Sequence, residues 1–277
     1  MEQNLWGMKL LSPVFKFRPG KLETNWVKEI STAWNVLQRS YRLSLNGDCA
    51  THISISPCGH RKWLLDDVKR ITKTVLYFER AVDAIVPLDR RISVFCKSNK
   101  HREDVSLAWL FDLIDKAGSI QEVVWVMNGS PTDMKTWKNF RWNFCPLLNF
   151  GPGAIEFRQA PSSVGGVNST AFWINFAVAF VQGALTLGNT LYGSKEEAIP
   201  KDLANLIKVG ASQAGMSDAS GTNLAKEIGQ AEALEKVVGN RTWFTSLGKR
   251  GTALLSQKMR EKKCDNYDEF EKSYLVV

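Results

Sequence analysis

The spacing of apolar residues predicts a protein that combines long helices with short strands. Apolar side chains recur every three or four positions, the helical period, in Leu22–Leu37, Leu64–Val86 and Asp104–Ala117. Polar and apolar residues alternate along Thr51–Ser56, which is the period of a half-buried strand. Further strands are predicted at Gly7–Val14, Val123–Met127, Trp137–Phe144 and Gly153–Gln159. The order lacks a regular βαβ repeat, a P-loop and a GxGxxG motif, so the predicted class is α+β.

One long uncharged run, Thr170–Leu187, could form either a buried helix or a membrane span. It is about 18 residues long and includes Asn175 and Gln182, which favours a central helix packed against the sheet. We expect both amides to find hydrogen-bond partners inside the protein. The chain becomes more polar after this run. We therefore predict a catalytic domain over residues 1–190, and a helical C-terminal extension over 191–277 packed on the same domain.

Composition and cysteine usage indicate a folded protein of the cytoplasm. The chain has 277 residues, of which 44% are hydrophobic and 23% charged, so it is not of the disordered type. The start, Met1–Leu11, has no secretory-signal pattern, and no membrane association is expected. The five cysteines form no CxxC pair, which favours reduced thiols over a disulfide framework or a zinc ribbon.

The positive charge is concentrated in the N-terminal half. Residues 1–150 hold 22 Lys and Arg against 15 Asp and Glu, so they carry +7 of the net +8. An excess of this kind suits a polyanionic partner such as nucleic acid or a phosphorylated substrate, and it also suits an ordinary mixed surface.

Two predicted strands carry polar side chains on one face and apolar side chains on the other. Alternation puts His52 and Ser54 on one face of the first strand. In the second strand, Glu156 and Arg158 share a face, opposite Ile155 and Phe157. A carboxylate beside a guanidinium is either a structural ion pair or a functional pair that binds a cation and an anion.

Other polar residues could join this site. Asn143 and Asn149 could supply neutral hydrogen bonds to the same ligand. Glu79 lies among apolar neighbours in a predicted helix, so it is either paired, with Arg80 or Arg90, or functional. A serine hydrolase has little support without a GxSxG motif, and His60 and His101 lack the spacing of metal ligands.

Taken in order, these segments resemble the amidoligase family, particularly its fungal members. The resemblance spans roughly residues 5–190 and rests on Leu10–Pro13, Cys49–Pro57, Tyr77–Asp83, Pro87–Arg91, Asn143 and Ala154–Gln159. It implies a glutamine-synthetase type of fold, with an antiparallel or mixed sheet flanked by helices. It also implies an enzyme that uses ATP and Mg²⁺ to join an amine to a carboxylate.

The resemblance implies roles for individual residues. His52 and Glu156 match positions that bind a metal in such enzymes, and Arg158 matches a contact to phosphate or to a substrate carboxylate. The same matching segments supply four further substrate-binding candidates, which are Asn143, Gln159, Arg90 and Arg91.

The chain also departs from the family pattern where ATP and Mg²⁺ would bind. The opening strand with paired glutamates is not matched, Lys9 stands where an acid is usual, and Ser54 replaces a second histidine. Fewer carboxylates disfavour a site for several Mg²⁺ ions. We therefore expect no cofactor, and an acyl group that arrives already activated, as in an aminoacyl-tRNA bound by the basic N-terminal half.

Three hypotheses follow. The first is amide-bond formation between amino-acid substrates from an aminoacyl-tRNA, as in tRNA-dependent cyclodipeptide synthases of fungi. Its catalytic residues would be Glu156 or Glu79 as the anchor for an ammonium or guanidinium, His52 as general base, and Ser54 or Cys58 as acyl acceptor. The second is an amidoligase that depends on ATP and Mg²⁺, and the third is a binding protein without catalysis.

Overall fold

Long helices surround a small sheet in the computed structural model, which describes residues 8–17, 23–43, 49–59, 61–100, 105–129, 137–148, 153–162, 167–188, 190, 198–217, 221–226 and 228. The helices are α1 (Glu23–Ser40), α2 (Leu65–Ile85), α3 (Leu88–Arg91), α4 (Leu107–Lys116), α5 (Ile120–Asn128), α6 (Val167–Leu187) and α7 (Pro200–Gln213). The strands are β1 (Ile53–Ile55), β2 (Trp142–Asn143) and β3 (Ile155–Phe157), and a 3₁₀ turn spans Cys145–Leu148.

The three strands form an antiparallel sheet in the order β1–β3–β2. Glu156 on the central strand lies opposite Ser54 on one side and Asn143 on the other. This arrangement confirms the predicted α+β class, although the described part of the chain is mostly helical. The glutamine-synthetase type of sheet stays a prediction.

The apolar face of β3 forms the centre of the core. Ile155 and Phe157 are fully buried. The Phe157 ring lies 4.8 Å from that of Trp142, and 6.0 and 5.5 Å from the Trp173 and Phe176 rings of α6. Aromatic rings at such separations combine a large buried apolar area with favourable edge and offset contacts. The predicted packing of a central helix against the sheet is thereby confirmed.

Helix α6 is held on several sides. By length and composition it would also suit a membrane span. In this structure its buried residues face the sheet and α7, and Trp34 of α1 donates a hydrogen bond from Nε1 to Thr170 Oγ1 at 3.0 Å. The expectation for Asn175 is wrong, because its buried Oδ1 has no hydrogen-bond partner among the described residues.

Helices α6 and α7 approach each other at two glycines. A Cβ atom at Gly183 would lie 2.7 Å from the backbone oxygen of Leu206, and one at Gly210 would overlap the backbone oxygen of Ala179. The α7 helix begins at Pro200, where Asp202 accepts a hydrogen bond from the Ile199 amide. This helix is the longest described element of the predicted C-terminal extension, in which residues 221–226 and 228 are also helical, while most of the extension lies outside the described residues.

The helices predicted from Leu22, Leu64 and Asp104 correspond to α1, α2 and α4. The strand predicted at Val123–Met127 is wrong, because these residues lie in α5. Ser119 caps its start by accepting from the Glu122 amide, and Gly129 ends it with a φ of 79°. A short apolar run fits a buried helix as well as a strand, and the caps decide between them.

The other predicted strands are shorter than expected. Met8–Val14, the described part of the predicted Gly7–Val14 strand, has no regular structure, and most of its side chains are exposed. The runs that begin at Trp137 and Gly153 form strands only at β2 and β3. Gly7 lies outside the described residues.

A buried group of charges, which we call the core ion cluster, lies between α2 and the segment before β2. Arg141 Nη1 is 2.7 Å from Glu79 Oε1, and Arg141 Nη2 is 3.2 Å from Asp83 Oδ2. All three side chains are buried. Burial and the neighbouring Glu79 charge raise the pKa of Asp83 from 3.8 to about 7, against the lowering effect of Arg141. Two carboxylates therefore share one guanidinium, and one of them retains a proton near neutral pH.

We expect the Gly210→Ala substitution to destabilise the protein by about 2 to 3 kcal/mol, because the added methyl group would force α7 away from the Ala179 carbonyl. Thermal or chemical unfolding measures the change. Gly118→Ala is the matched control, since a Cβ there meets only Glu122 Oε2 at 3.9 Å. Equal stability of the two variants would show that the glycine contact between α6 and α7 does not form.

We also expect stability to depend on the proton of Asp83. Its folded pKa of about 7 exceeds the ordinary value of 3.8, so its contribution is fully present below pH 3.8 and is lost as the pH rises through 7. The free energy of unfolding should therefore fall more from about pH 5 to about pH 8 in the wild type than in Asp83→Asn. Asp66→Asn, an exposed acid on α2, is the control. Parallel pH curves for wild type and Asp83→Asn would contradict the assignment.

Candidate functional site

The face of the sheet opposite the core carries a group of polar side chains, which we call the sheet-face cluster. It consists of His52, Asn143, Glu156 and Arg158. Strand pairing brings these residues together, because Asn143 lies opposite Glu156 and His52 directly precedes β1. Residues 106 positions apart thus meet through the register of one small sheet.

Glu156 is the centre of the sheet-face cluster. Its Oε2 accepts a hydrogen bond from Asn143 Nδ2 at 2.8 Å and from Arg158 Nη1 at 3.1 Å. Its Oε1 lies 3.4 Å from His52 Nδ1. Only 17% of the side-chain surface is exposed. A carboxylate so far removed from water requires partners of this kind, and each oxygen has at least one.

These contacts keep Glu156 ionised. Burial raises the pKa of Glu156, but hydrogen bonds from His52 and Asn143 together with the Arg158 charge outweigh burial and lower it from 4.5 to about 2. Because an ionised carboxylate only accepts hydrogen bonds, it selects the His52 tautomer that carries hydrogen on Nδ1. The neutral imidazole then has its lone pair on Nε2.

His52 is the more accessible partner of this pair. One third of its side-chain surface (33%) is exposed, against 17% for Glu156. Its contacts within the described residues are made through Nδ1, which lies 3.4 Å from Glu156 Oε1 and 3.3 Å from Arg158 Nη1. An imidazole oriented through Nδ1 by a carboxylate can accept a proton at Nε2, which is the arrangement of a general base.

Asn143 is itself held in a fixed orientation. The Cys145 amide donates to Asn143 Oδ1 at 3.0 Å, so that the Nδ2 group of Asn143 points to Glu156. Cys145 contributes through its backbone only. Burial raises the pKa of its thiol to about 12, which keeps the thiol protonated and makes it a poor nucleophile at neutral pH.

Arg158 lies behind Glu156 rather than at the surface. Its side chain is 10% exposed, and Nη1 donates to Glu156 Oε2. With hydrogen on His52 Nδ1, the 3.3 Å between that nitrogen and Arg158 Nη1 is a close approach and not a hydrogen bond. Its Nε is buried and has no hydrogen-bond partner among the described residues. In this arrangement Arg158 neutralises and orients Glu156. The sequence-based role as a clamp for a substrate anion stays a prediction.

Ser54 and Cys58, the two candidate acyl acceptors, differ in their position relative to the sheet-face cluster. Ser54 is exposed on β1, with its Cα paired to that of Glu156. Side chains of directly paired residues share a face, so Ser54 lies on the side of His52 and Glu156. Cys58 is an exposed residue of the turn that follows β1.

The remaining candidates contact other groups. Glu79 belongs to the core ion cluster, where the Asn99 amide and the Ser98 hydroxyl also donate to it. Its partner is Arg141, not Arg80 or Arg90 as the sequence suggested. These contacts favour a structural role for Glu79 over a catalytic one, and the expected convergence of Glu79 with the sheet-face cluster does not appear among its contacts.

Gln159, Arg90 and Arg91 also bind within the protein. Gln159 Nε2 donates to Asp83 Oδ1 at 2.6 Å. Arg90 donates to the backbone oxygens of Arg158 and Gln159, at 2.7 and 3.4 Å. Arg91 donates to two backbone oxygens at the end of α2. Their predicted contacts with substrate are untested, and Asn149 lies outside the described residues.

Sequence reasoning missed Asp83 and Arg141. Asp83 follows Glu79 by one helical turn, so the two carboxylates had to share a face of α2, which is a signal that could have been used. Nothing local in the sequence marks Arg141 as their partner.

The described residues of this face do not fit a site for Mg²⁺ and a nucleotide triphosphate. The donor set is one carboxylate and one imidazole, and Arg158 Nη1 already lies 3.1 Å from that carboxylate. Mg²⁺ prefers several oxygen ligands, and a guanidinium at this distance would repel it. Among the described residues, no three His, Cys, Asp or Glu side chains come together as metal ligands.

Comparison with known proteins agrees with the ordered motifs. Searches of curated proteins and of solved structures found no match. The profile of the family described as "putative amidoligase enzyme" matches residues 3–181, which include every member of the sheet-face cluster. This match supports an enzyme of the ligase type that forms amide bonds. The chain therefore belongs to the amidoligase family.

Proposed function

We propose that this protein forms an amide bond between amino-acid substrates, and that the acyl group comes from a pre-activated ester such as an aminoacyl-tRNA. The observation that carries the proposal is the contact between His52 Nδ1 and the ionised Glu156. It supplies an oriented base whose side chain is one-third exposed. Family membership supports the reaction class, while the donor is the finer part of the proposal.

In the proposed reaction, the amine of one amino acid attacks the ester carbonyl of the other. His52 Nε2 accepts the proton that the amine loses, and the carbon–oxygen bond of the ester breaks. The same proton then passes from His52 to the departing ribose oxygen, so the enzyme returns to its starting state. Glu156 stabilises the imidazolium between these two transfers, as a carboxylate does in a catalytic triad.

Ser54 offers a two-step variant of the same reaction. Its hydroxyl would first accept the acyl group, with His52 as base, and the amine would then displace the serine oxygen. Pairing of Ser54 with Glu156 across the sheet supports this choice over Cys58. The sheet-face cluster therefore suits either direct attack or a covalent intermediate.

A pre-activated donor suits the charges of the sheet-face cluster. Glu156 is committed to Asn143, Arg158 and His52, and Lys9 stands where the family has an acid. An aminoacyl ester needs no metal to activate its carbonyl, whereas a triphosphate brings charge that Mg²⁺ must neutralise. The family's use of ATP and Mg²⁺ is the competing function, favoured by the proximity of His52 and Glu156, its two implied metal ligands.

An RNA donor would bind through surface cations of the N-terminal half. Not all of the excess charge serves this purpose, because Arg90 and Arg141 are buried and bonded within the protein. Exposed lysines and arginines such as Arg42, Arg61 and Lys62 remain for phosphate contacts. Binding of this kind weakens steeply as the salt concentration rises. The proposal also locates the reaction in the cytoplasm, where aminoacyl-tRNA is abundant.

We expect Arg158→Lys to lower product formation by about 100-fold without unfolding the protein. Lysine keeps the charge but is shorter and lacks the planar fork, so it does not hold Glu156, and through Glu156 the His52 ring, in the geometry set by the guanidinium. Product is measured by mass spectrometry and folding by circular dichroism. Arg39→Lys, an exposed position of α1, is the control. Near-normal turnover of Arg158→Lys would refute a functional role for this side chain.

We expect activity to require charged tRNA and not ATP. The purified protein is incubated with amino acids, with or without ATP and Mg²⁺, and with or without charged tRNA, and products are read by mass spectrometry. Ribonuclease treatment of the tRNA arm should abolish the product. Full activity after ribonuclease, with strict dependence on ATP and Mg²⁺, would establish the ordinary amidoligase reaction instead. Absence of any amide product in every arm would favour a binding protein.

A further inference from the structure

The peptide that carries Arg158 is held from both sides of its backbone. The Arg158 amide donates to the backbone oxygen of Arg141 at 2.8 Å. The backbone oxygen of Arg158 accepts from Arg90 Nη2 at 2.7 Å. One residue further, the side chain of Gln159 donates to Asp83 at 2.6 Å. These bonds fix the start of the Arg158 side chain before it reaches Glu156.

The side chain of Arg90 makes its hydrogen bonds to this peptide. Its side chain is among the largest that are fully buried, with 1% of the residue exposed. Its guanidinium reaches two successive carbonyls, those of Arg158 and Gln159, and its own backbone oxygen is 2.9 Å from Cys96 Sγ. A guanidinium is suited to this task because its planar fork presents several donors in fixed directions.

The position of Arg90 argues against direct substrate contact. A side chain that is buried and bonded to two backbone carbonyls of the protein is not available to a ligand at the sheet face. A buried arginine also carries a large desolvation cost, which these bonds offset only in part. Through its contact with the peptide of Arg158, the buried Arg90 side chain reaches the sheet-face cluster.

We propose that Arg90, assisted by Gln159, is a positioning residue that fixes Arg158 against Glu156. The expected change in kinetics rests on the proposed function, whereas the expected change in the contact between Arg158 and Glu156 does not. The side chains of Arg90 and Gln159 hold the peptide of residues 158–159 at the end of β3. That peptide aims Arg158 Nη1 at Glu156 Oε2, and Glu156 in turn orients His52. A shift of about 1 Å in such a chain can cost about 100-fold in rate.

The test is Arg90→Lys, examined by crystallography and by steady-state kinetics. Arg90 reaches the two carbonyls from two different nitrogens, Nε and Nη2, whereas lysine has one nitrogen on a shorter side chain and does not reproduce both directions. We expect the contact of 3.1 Å between Arg158 Nη1 and Glu156 Oε2 to lengthen beyond hydrogen-bonding range in the variant. We also expect kcat to fall about tenfold or more while KM changes by less than about twofold, because Arg90 does not touch substrate.

Arg70→Lys is the matched control. Arg70 also bonds a backbone carbonyl, that of Leu185 at 2.9 Å, but it joins α2 to α6 rather than to β3. This variant should leave the contact between Arg158 and Glu156 intact, and kcat unchanged. If Arg90→Lys does not fold, Gln159→Met removes the bond to Asp83 at similar side-chain size and should displace Arg158 in the same direction.

The possible results separate the positioning role from the proposed function. A raised KM with the contact between Arg158 and Glu156 unchanged would overturn the inference and make Arg90 a substrate-binding residue. An unchanged contact and unchanged kinetics would also overturn it. A lengthened contact in a protein whose wild type forms no amide product would uphold the positioning role and reject the proposed function.

Discussion

The site depends on one constraint, which is that Glu156 must stay ionised although little of it reaches water. Asn143, Arg158 and His52 meet this constraint together, and they lower the pKa of the carboxyl to about 2 against the effect of burial. Removing any one of them would leave a partly unsatisfied charge at the centre of the sheet. The same carboxylate fixes the hydrogen of His52 on Nδ1, so electrostatics inside the protein determine which nitrogen can act as a base. The proposed chemistry follows from this single ionisation state.

Strand β3 connects this cluster to the rest of the molecule. Its Ile155 and Phe157 side chains pack in the core against α6, while Glu156 lies on the other face. The core ion cluster lies behind its end, and the backbone contacts of Arg158 with Arg141 and Arg90 join the two groups. Packing, buried charge and the candidate site therefore share one short segment. A change in the core near β3 is expected to alter the geometry at the sheet face.

Strand alternation allowed much of the site to be predicted from the sequence. Alternation places Glu156 and Arg158 on one face of their strand, and it places His52 and Ser54 on one face of theirs. Pairing of the two strands then brings these faces together on the same side of the sheet. The partner of Glu79 could not be predicted in this way. Arg141 lies far away in the sequence, and Arg80 and Arg90 were nearer candidates. The lengths of the strands and the helical conformation of Val123–Met127 also depended on caps and tertiary contacts. The spacing of apolar residues carries no information about these.

The central claim is that the ionised Glu156 and His52 form the reactive centre of an amide-forming enzyme. Glu156→Gln tests it most directly, because the amide has nearly the same shape but neither carries the charge nor selects the same tautomer of His52. Product formation from amino acids and charged tRNA should fall by at least about 100-fold in this variant. Circular dichroism should still show a folded protein, with a melting temperature below that of Asp66→Asn, an exposed control on α2, because Arg158 loses its ionic partner. Wild-type rates in Glu156→Gln would contradict the account.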